Sequence, residues 1–143
     1  MQPTLSPGDV CLCITGKKYN MPELESGMII LLTHENYDYL LTKRIIAMEN
    51  DLIEIRDGVT WVNHQPLEES YTQISDIKNI DSSFFTVDSV RVGKDYLFVM
   101  GDNRNHSMDS RNAGFGLVHI NNVVGRPLLI LWSENHGKIF TIL

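Results

Sequence analysis

Two stretches of this chain carry residues whose types and spacing could do chemistry. The first is Gly101-Asp102-Asn103-Arg104-Asn105-His106-Ser107-Met108-Asp109-Ser110-Arg111, which crowds two acids, two arginines, two serines and a leading glycine into one short segment. A polar cluster placed where a strand ends is a loop able to carry chemistry, though taken alone it fits better a surface loop whose Asp and Asn residues make local turns. The second is Tyr39-Leu40-Leu41-Thr42-Lys43-Arg44-Ile45-Ile46, where a lysine is set among apolar neighbours. Desolvation disfavours an ammonium, so a lysine held in such a strand can serve as a neutral general base. Taken alone, the lysine segment fits better an amphipathic side chain that packs its stem and hydrates its head.

The elements that must position these groups read as strands. The run Tyr96-Leu97-Phe98-Val99-Met100 leads straight into the polar segment, as a buried strand ending in a loop would. Residues 10–14, 28–32, 39–46 and 83–87 read as further strands, and 123–132 as the closing apolar stretch. Residues 52–56 and 59–62 alternate around Asp57-Gly58 and predict a β-hairpin, ended by Asn63-His64-Gln65-Pro66. Asn50 suits a left-handed turn, Gly16-Lys17-Lys18 an exposed turn, and Pro127 an edge strand or a bulge. No repeat, low-complexity tract or stretch of helical period interrupts this pattern.

With 143 residues the chain suits one domain. A net charge of −6 without a Lys/Arg block argues against a nucleic-acid surface or an anionic membrane surface. His34, His64, His106, His119 and His136 lack metal-ligand spacing, so neither a metal nor a cofactor is expected. Cys11 and Cys13 would share one face of a strand roughly 6–7 Å apart, too far for an easy disulfide. They read as packing residues. No apolar run approaches the ~18–20 residues of a membrane span, and Met1-Gln2-Pro3 does not open a signal peptide.

The 101–111 segment resembles the last box of type I signal peptidases: Gly-Asp-Asn-Arg, two residues, Ser, one residue, Asp-Ser-Arg. Lys43-Arg44-Ile45-Ile46 resembles their Lys-Arg-(Ile/Val)-(Ile/Val) box, and Met1-Gln2-Pro3-Thr4-Leu5 their Ser-Met-x-Pro-Thr-Leu box without its serine. The matches keep the family's order and span most of the chain, leaving residues 68–92 as a variable insertion in which no residue is given a role. Departures are Met28 in place of an Asp, Ala47-Met48-Glu49-Asn50-Asp51 in place of Gly-x-Pro-Gly-Asp, and Pro127 in place of an Ala.

The resemblance implies a mainly antiparallel β fold, a partly open barrel with little helix, over residues 1–143. It implies a serine endopeptidase that removes signal peptides after Ala-x-Ala through a Ser/Lys dyad, with Lys43 as base and Ser107 holding its amine. Asp102 would pair with Arg44 and Asp109 with Arg111, bracing the lysine strand against the serine loop. Met1, Leu5, Leu41 and Thr42 would line the substrate pockets. The nucleophile would precede Met1, so the chain is expected to be a truncated piece, inactive by itself, of a protein anchored upstream at the outer face of the bacterial cytoplasmic membrane. Its partners would be secreted precursors. The alternative is a non-catalytic relative that holds extended peptides as an assembly helper. Self-cleaving repressors share the Ser–Lys chemistry but lack the 101–111 box, and no DNA-binding segment is present here.

Overall fold

A computed structural model describes residues 1–16, 23–72, 87–134 and 141–143. The expected features at Lys17-Lys18, Met21-Pro22 and residues 73–86 lie outside these. The described strands are β1 (Val10–Thr15), β2 (Ile29–His34), β3 (Tyr37–Ala47), β4 (Leu52–Arg56), β5 (Val59–Val62), β6 (Gln65–Pro66), β7 (Val87–Arg91), β8 (Tyr96–Met100), β9 (Val118–His119), β10 (Val123–Trp132) and β11 (Thr141–Ile142). The described pairings are all antiparallel. One sheet runs β1-β10-β2-β3-β8-β9 with β11 beside β10, and the second runs β6-β5-β4-β7. Among the described residues, helix is limited to 3-10 turns such as Arg104–His106. The fold is mainly antiparallel β, as expected.

The strands β3 and β8 explain why the apolar runs in the sequence are continuous rather than alternating. Successive side chains leave a strand on opposite faces, so a run buried throughout must have a core on each side. Ile45, Leu97 and Val99 join one core with Ile30, Leu32 and Val118, while Ile46, Ala47, Phe98 and Met100 join another with Ile53, Ile55 and Val92. The paired β3 and β8 therefore form a ribbon held from both faces, and the two chemistry-bearing stretches are attached to it. Lys43 lies within β3. The 101–111 segment begins where β8 stops.

Turn chemistry behaves as the residue types require. Asp57 and Gly58 both take positive φ, 51° and 76°, as the tight hairpin between β4 and β5 demands. Asn50 has φ 73° in its turn. The hairpin ends at Val62 as expected, and Asn63-His64 makes a second tight turn there, with φ 51° and 66°. What the sequence did not announce is that Gln65–Pro66 then returns to pair with β5. Asn63 holds this turn by accepting from the Leu52 backbone nitrogen and donating to Asp51. Pro127 lies inside the sheet, not at its edge, opposite Cys13 beside a register shift in β1, so the bulge is the correct half of that expectation.

Candidate active site

Adjacent residues on β3 point to opposite sides of the strand, so Lys43 and Arg44 deliver a cationic head to each. Lys43 is 8% exposed and its Nζ donates to Ser107 Oγ across 3.0 Å. Burial pushes the Lys43 amine below its ordinary range; nearby Asp109 opposes this and Arg111 adds to it. Ser107 reaches the amine by crossing directly over Gly101. A β-carbon at position 101 would sit 2.7 Å from Ser107 Cβ and 3.8 Å from Lys43 Nζ, so only glycine leaves room there.

On the other side of β3, Arg44 Nε and Nη2 chelate Asp102 at 2.8 and 2.7 Å, and Nη1 donates to the Gly27 carbonyl at 2.7 Å. The Thr4 hydroxyl completes this pair by donating to Asp102 Oδ2 and accepting from Arg44 Nη2. Thr4 thereby ties the N-terminal segment to the junction of strand and loop. Burial also lowers the pKa of the Met1 amine, which feels the charges of Asp102 and Lys43. The start of the chain thus lies within electrostatic reach of the lysine.

Asp109 and Arg111 pair within the loop, Nε to Oδ1 at 2.8 Å and Nη2 to Oδ2 at 2.9 Å. This corrects the expectation that their pair spans strand and loop. Asp109 also accepts from the Gly101 backbone nitrogen at 3.0 Å. Its burial would raise the carboxyl pKa, but the Arg111 guanidinium, the Gly101 N–H and the Ser107 hydroxyl together hold it below the usual carboxylate range. Ser110 closes the loop onto β8 by exchanging hydrogen bonds with the Val99 backbone.

Leu5 and Thr42 line one open cavity of about 200 Å³, shared with Leu31, Pro127 and both cysteines. Leu41 instead packs against the first core, and Met1 is partly buried with its carbonyl accepting from the Leu5 nitrogen. The cysteines are free thiols. Among the described residues no cluster of three or more His, Cys, Asp or Glu side chains could hold a metal, and no helix is long and apolar enough to cross a membrane.

Sequence reasoning missed Thr4, Glu69, Tyr71 and the role of Arg104. Glu69 grips Arg104 with both oxygens, and Tyr71 lays its ring 4.0 Å from the Arg44 guanidinium carbon. Glu69 and Tyr71 belong to the stretch given no role, and a lone tyrosine in a polar run carries no signal until its partners are known.

The profile of the family described as signal peptidase, peptidase S26, matches residues 1–132. The chain is 34% identical to thylakoidal processing peptidase 1 of Arabidopsis thaliana, over 94% of its own length and 40% of that protein's. It is 31% identical to a signal peptidase I of Bacillus amyloliquefaciens, over 94% of its own length and 72% of that protein's. It thus spans less than half of one relative and under three quarters of the other. A crystal structure of a signal peptidase I from Enterococcus faecalis superposes with a TM-score of 0.61 at 26% identity, covering 72% of this chain and 95% of that one. With a β ribbon that presents a buried lysine to a serine across one glycine, and with these likenesses, the chain belongs to the signal peptidase family, peptidase S26.

Proposed function

We propose that this chain is the catalytic domain, over residues 1–143, of a membrane-anchored serine endopeptidase that removes signal peptides from secreted precursors. The observation that carries the reading is the Lys43–Ser107 hydrogen bond: a buried amine with a lowered pKa is directed by a hydroxyl rather than neutralised in a carboxylate pair. The reading requires a serine immediately ahead of Met1 in the full-length protein. Its hydroxyl attacks the scissile carbonyl while the neutral Lys43 amine takes its proton. The proton then passes to the leaving amine, and a water deprotonated by Lys43 releases the acyl group. Ser107 keeps the amine aimed throughout. Asp102 with Arg44 holds the lysine strand to the loop, and Asp109 with Arg111 holds the loop's own shape.

The precursor lies extended beside β3, with the small side chains of Ala-x-Ala entering the cavity of Leu5 and Thr42 and cleavage falling after the second Ala. Met1 and Leu41 border this path. An upstream anchor places the domain at the outer face of the cytoplasmic membrane, and the reaction draws on no metal or cofactor.

The full-length natural protein, in detergent, tests this against a precursor bearing Ala-x-Ala. The expected product begins immediately after the second Ala, and replacing that Ala by Glu abolishes cleavage. Retention of the intact precursor without any cleavage would favour a peptide-binding relative instead.

A further inference from the structure

The chemistry-bearing loop contains one more arginine than the pairs so far described can account for. Asp102 chelates Arg44 and Asp109 chelates Arg111, which leaves Arg104, 4% exposed, without a carboxylate from the 101–111 segment. A buried unpaired guanidinium is strongly destabilising, so a partner must come from elsewhere. It comes from Glu69, whose two oxygens accept from Arg104 Nη1 at 2.6 Å and from Nη2. Tyr71 locks this pair in place. Its hydroxyl donates to Glu69 Oε1 at 3.1 Å, and its ring stands 4.0 Å from the Arg44 guanidinium carbon and 5.8 Å from that of Arg104. Cation–π contact of this kind is strongest where water is excluded.

The pair leads directly to the lysine's neighbours. Arg104 Nε donates to the Gly101 carbonyl at 3.1 Å, and the Arg104 carbonyl accepts from Arg111 Nη2 at 2.7 Å. Gly101 is the floor beneath Ser107, and Arg111 holds Asp109. We propose that Glu69 and Tyr71 are positioning residues for the peptidase reaction, clamping Arg104 so that Gly101 and Arg111 hold Ser107 on the Lys43 amine. The inference rests on the peptidase reading above.

A charge count sharpens it. Arg44, Arg104 and Arg111 are all buried, and Asp102, Glu69 and Asp109 each hold one of them. The three pairs cancel, so the cluster is neutral only when Lys43 is neutral. The charges around Lys43 are Asp109 and Arg111 from the loop, with the Arg44–Asp102 pair on the other side of its strand; in the full-length enzyme the Met1 nitrogen is an uncharged amide. Removing the Glu69 charge leaves an excess positive charge, which further disfavours the lysine ammonium.

The test uses the full-length enzyme in detergent, with wild type, Lys43→Ala, Glu69→Gln, Tyr71→Leu, Tyr71→Phe and the double variant Glu69→Gln/Arg104→Gln. Each rate is normalised to folded protein. Glu69→Gln and Tyr71→Leu are expected to lower kcat about tenfold or more, as a displaced catalytic pair does, with KM within about twofold because neither residue lines the cavity. The acid limb of kcat/KM moves to lower pH in Glu69→Gln and returns in the double variant, whose charge is again balanced. Tyr71→Phe, which keeps the ring, retains most of the wild-type kcat. Wild-type cleavage that disappears in Lys43→Ala but keeps its kcat and pH profile in Glu69→Gln and Tyr71→Leu would overturn the clamp alone. Lack of cleavage by the wild type would overturn the peptidase reading, and the clamp with it.

Discussion

Ser107 packs over Gly101 so closely that a β-carbon at 101 would lie 2.7 Å from its own. This contact decides where the Ser107 hydroxyl can stand, because the backbone of Gly101 is itself held by Asp109 and Arg104. Gly101→Ala is therefore expected to push Ser107 off the Lys43 amine while both cores, which Gly101 does not join, stay intact. In the full-length protein the loss in kcat should be on the order of 100-fold, the scale of a ~1 Å displacement. Precursor turnover beside a thermal melt checks it.

The buried lysine makes a prediction about stability. Its amine has a lower pKa in the fold than in the unfolded chain, so the unfolded state binds more protons between the two values. The cost of burying the ammonium is greatest below the folded pKa, and stability rises with pH toward the ordinary lysine value. Lys43→Met removes that cost and leaves Ser107 its bond to Asp109. The variant should melt at a higher temperature than the parent at pH 7, by roughly 4 °C for about 1 kcal/mol, with the gap closing as pH rises. Calorimetry across pH measures it.

Asp109 has the opposite sign. Its folded pKa lies below the model-peptide carboxyl value of 3.8. The stabilisation is complete above that value and is lost as pH falls through the folded pKa. Asp109→Asn should flatten the acid side of the stability curve, as urea melts between about pH 2 and 5 would show.

The Arg44–Asp102 pair is matched to its surroundings in one direction only. Gly27 offers a carbonyl and Tyr71 a ring face to a cation at position 44. Asp102→Ala alone should cost about 3–5 kcal/mol by stranding Arg44. The double reversal Arg44→Asp/Asp102→Arg should not restore activity, because a carboxylate at 44 would face the Gly27 oxygen. Recovery of turnover in that double variant would show that the brace is a simple charge pair.

Cys11 and Cys13 share the cavity of Leu5 and Thr42, which makes their thiols probes of substrate access. Burial, with Cys13 and Asp9 nearby, pushes the Cys11 thiol up, so its modification should quicken as pH rises. Methyl methanethiosulfonate, which leaves a methylthio group on sulfur, is expected to raise KM several-fold in the full-length protein. The variant Cys11→Ser/Cys13→Ser should be immune. Complete modification of both thiols with an unchanged KM would place the substrate elsewhere.

Much of this arrangement was legible before any coordinates. The apolar run at 96–100 marked a buried strand, which holds from Leu97 onward while Tyr96 is exposed, and Asp57-Gly58 and Asn50 announced their turns through their tolerance of positive φ. The charged partners Arg44 and Asp102 came from resemblance, since nothing in either segment names a residue 58 positions away. Where each pair reaches was harder to read: Asp109 and Arg111, two residues apart, close on one another within the loop. Glu69 and Tyr71 were illegible for a physical reason. Their signal is a three-body contact with Arg44 and Arg104, and their own neighbours, Glu68, Ser70 and Thr72, read as an ordinary polar stretch. The turn at Asn63-His64 was read, but the return of Gln65–Pro66 against β5 was not, because a two-residue strand carries no alternation to read.

The most direct test of the central claim compares the full-length protein with its Lys43→Ala variant, both shown to be folded, for cleavage of a secretory precursor. A serine–lysine peptidase predicts cleavage by the parent and its loss, by at least a thousandfold on the scale of removing an activating base, in the variant. Equal cleavage by the two would contradict the assignment of Lys43 as the base.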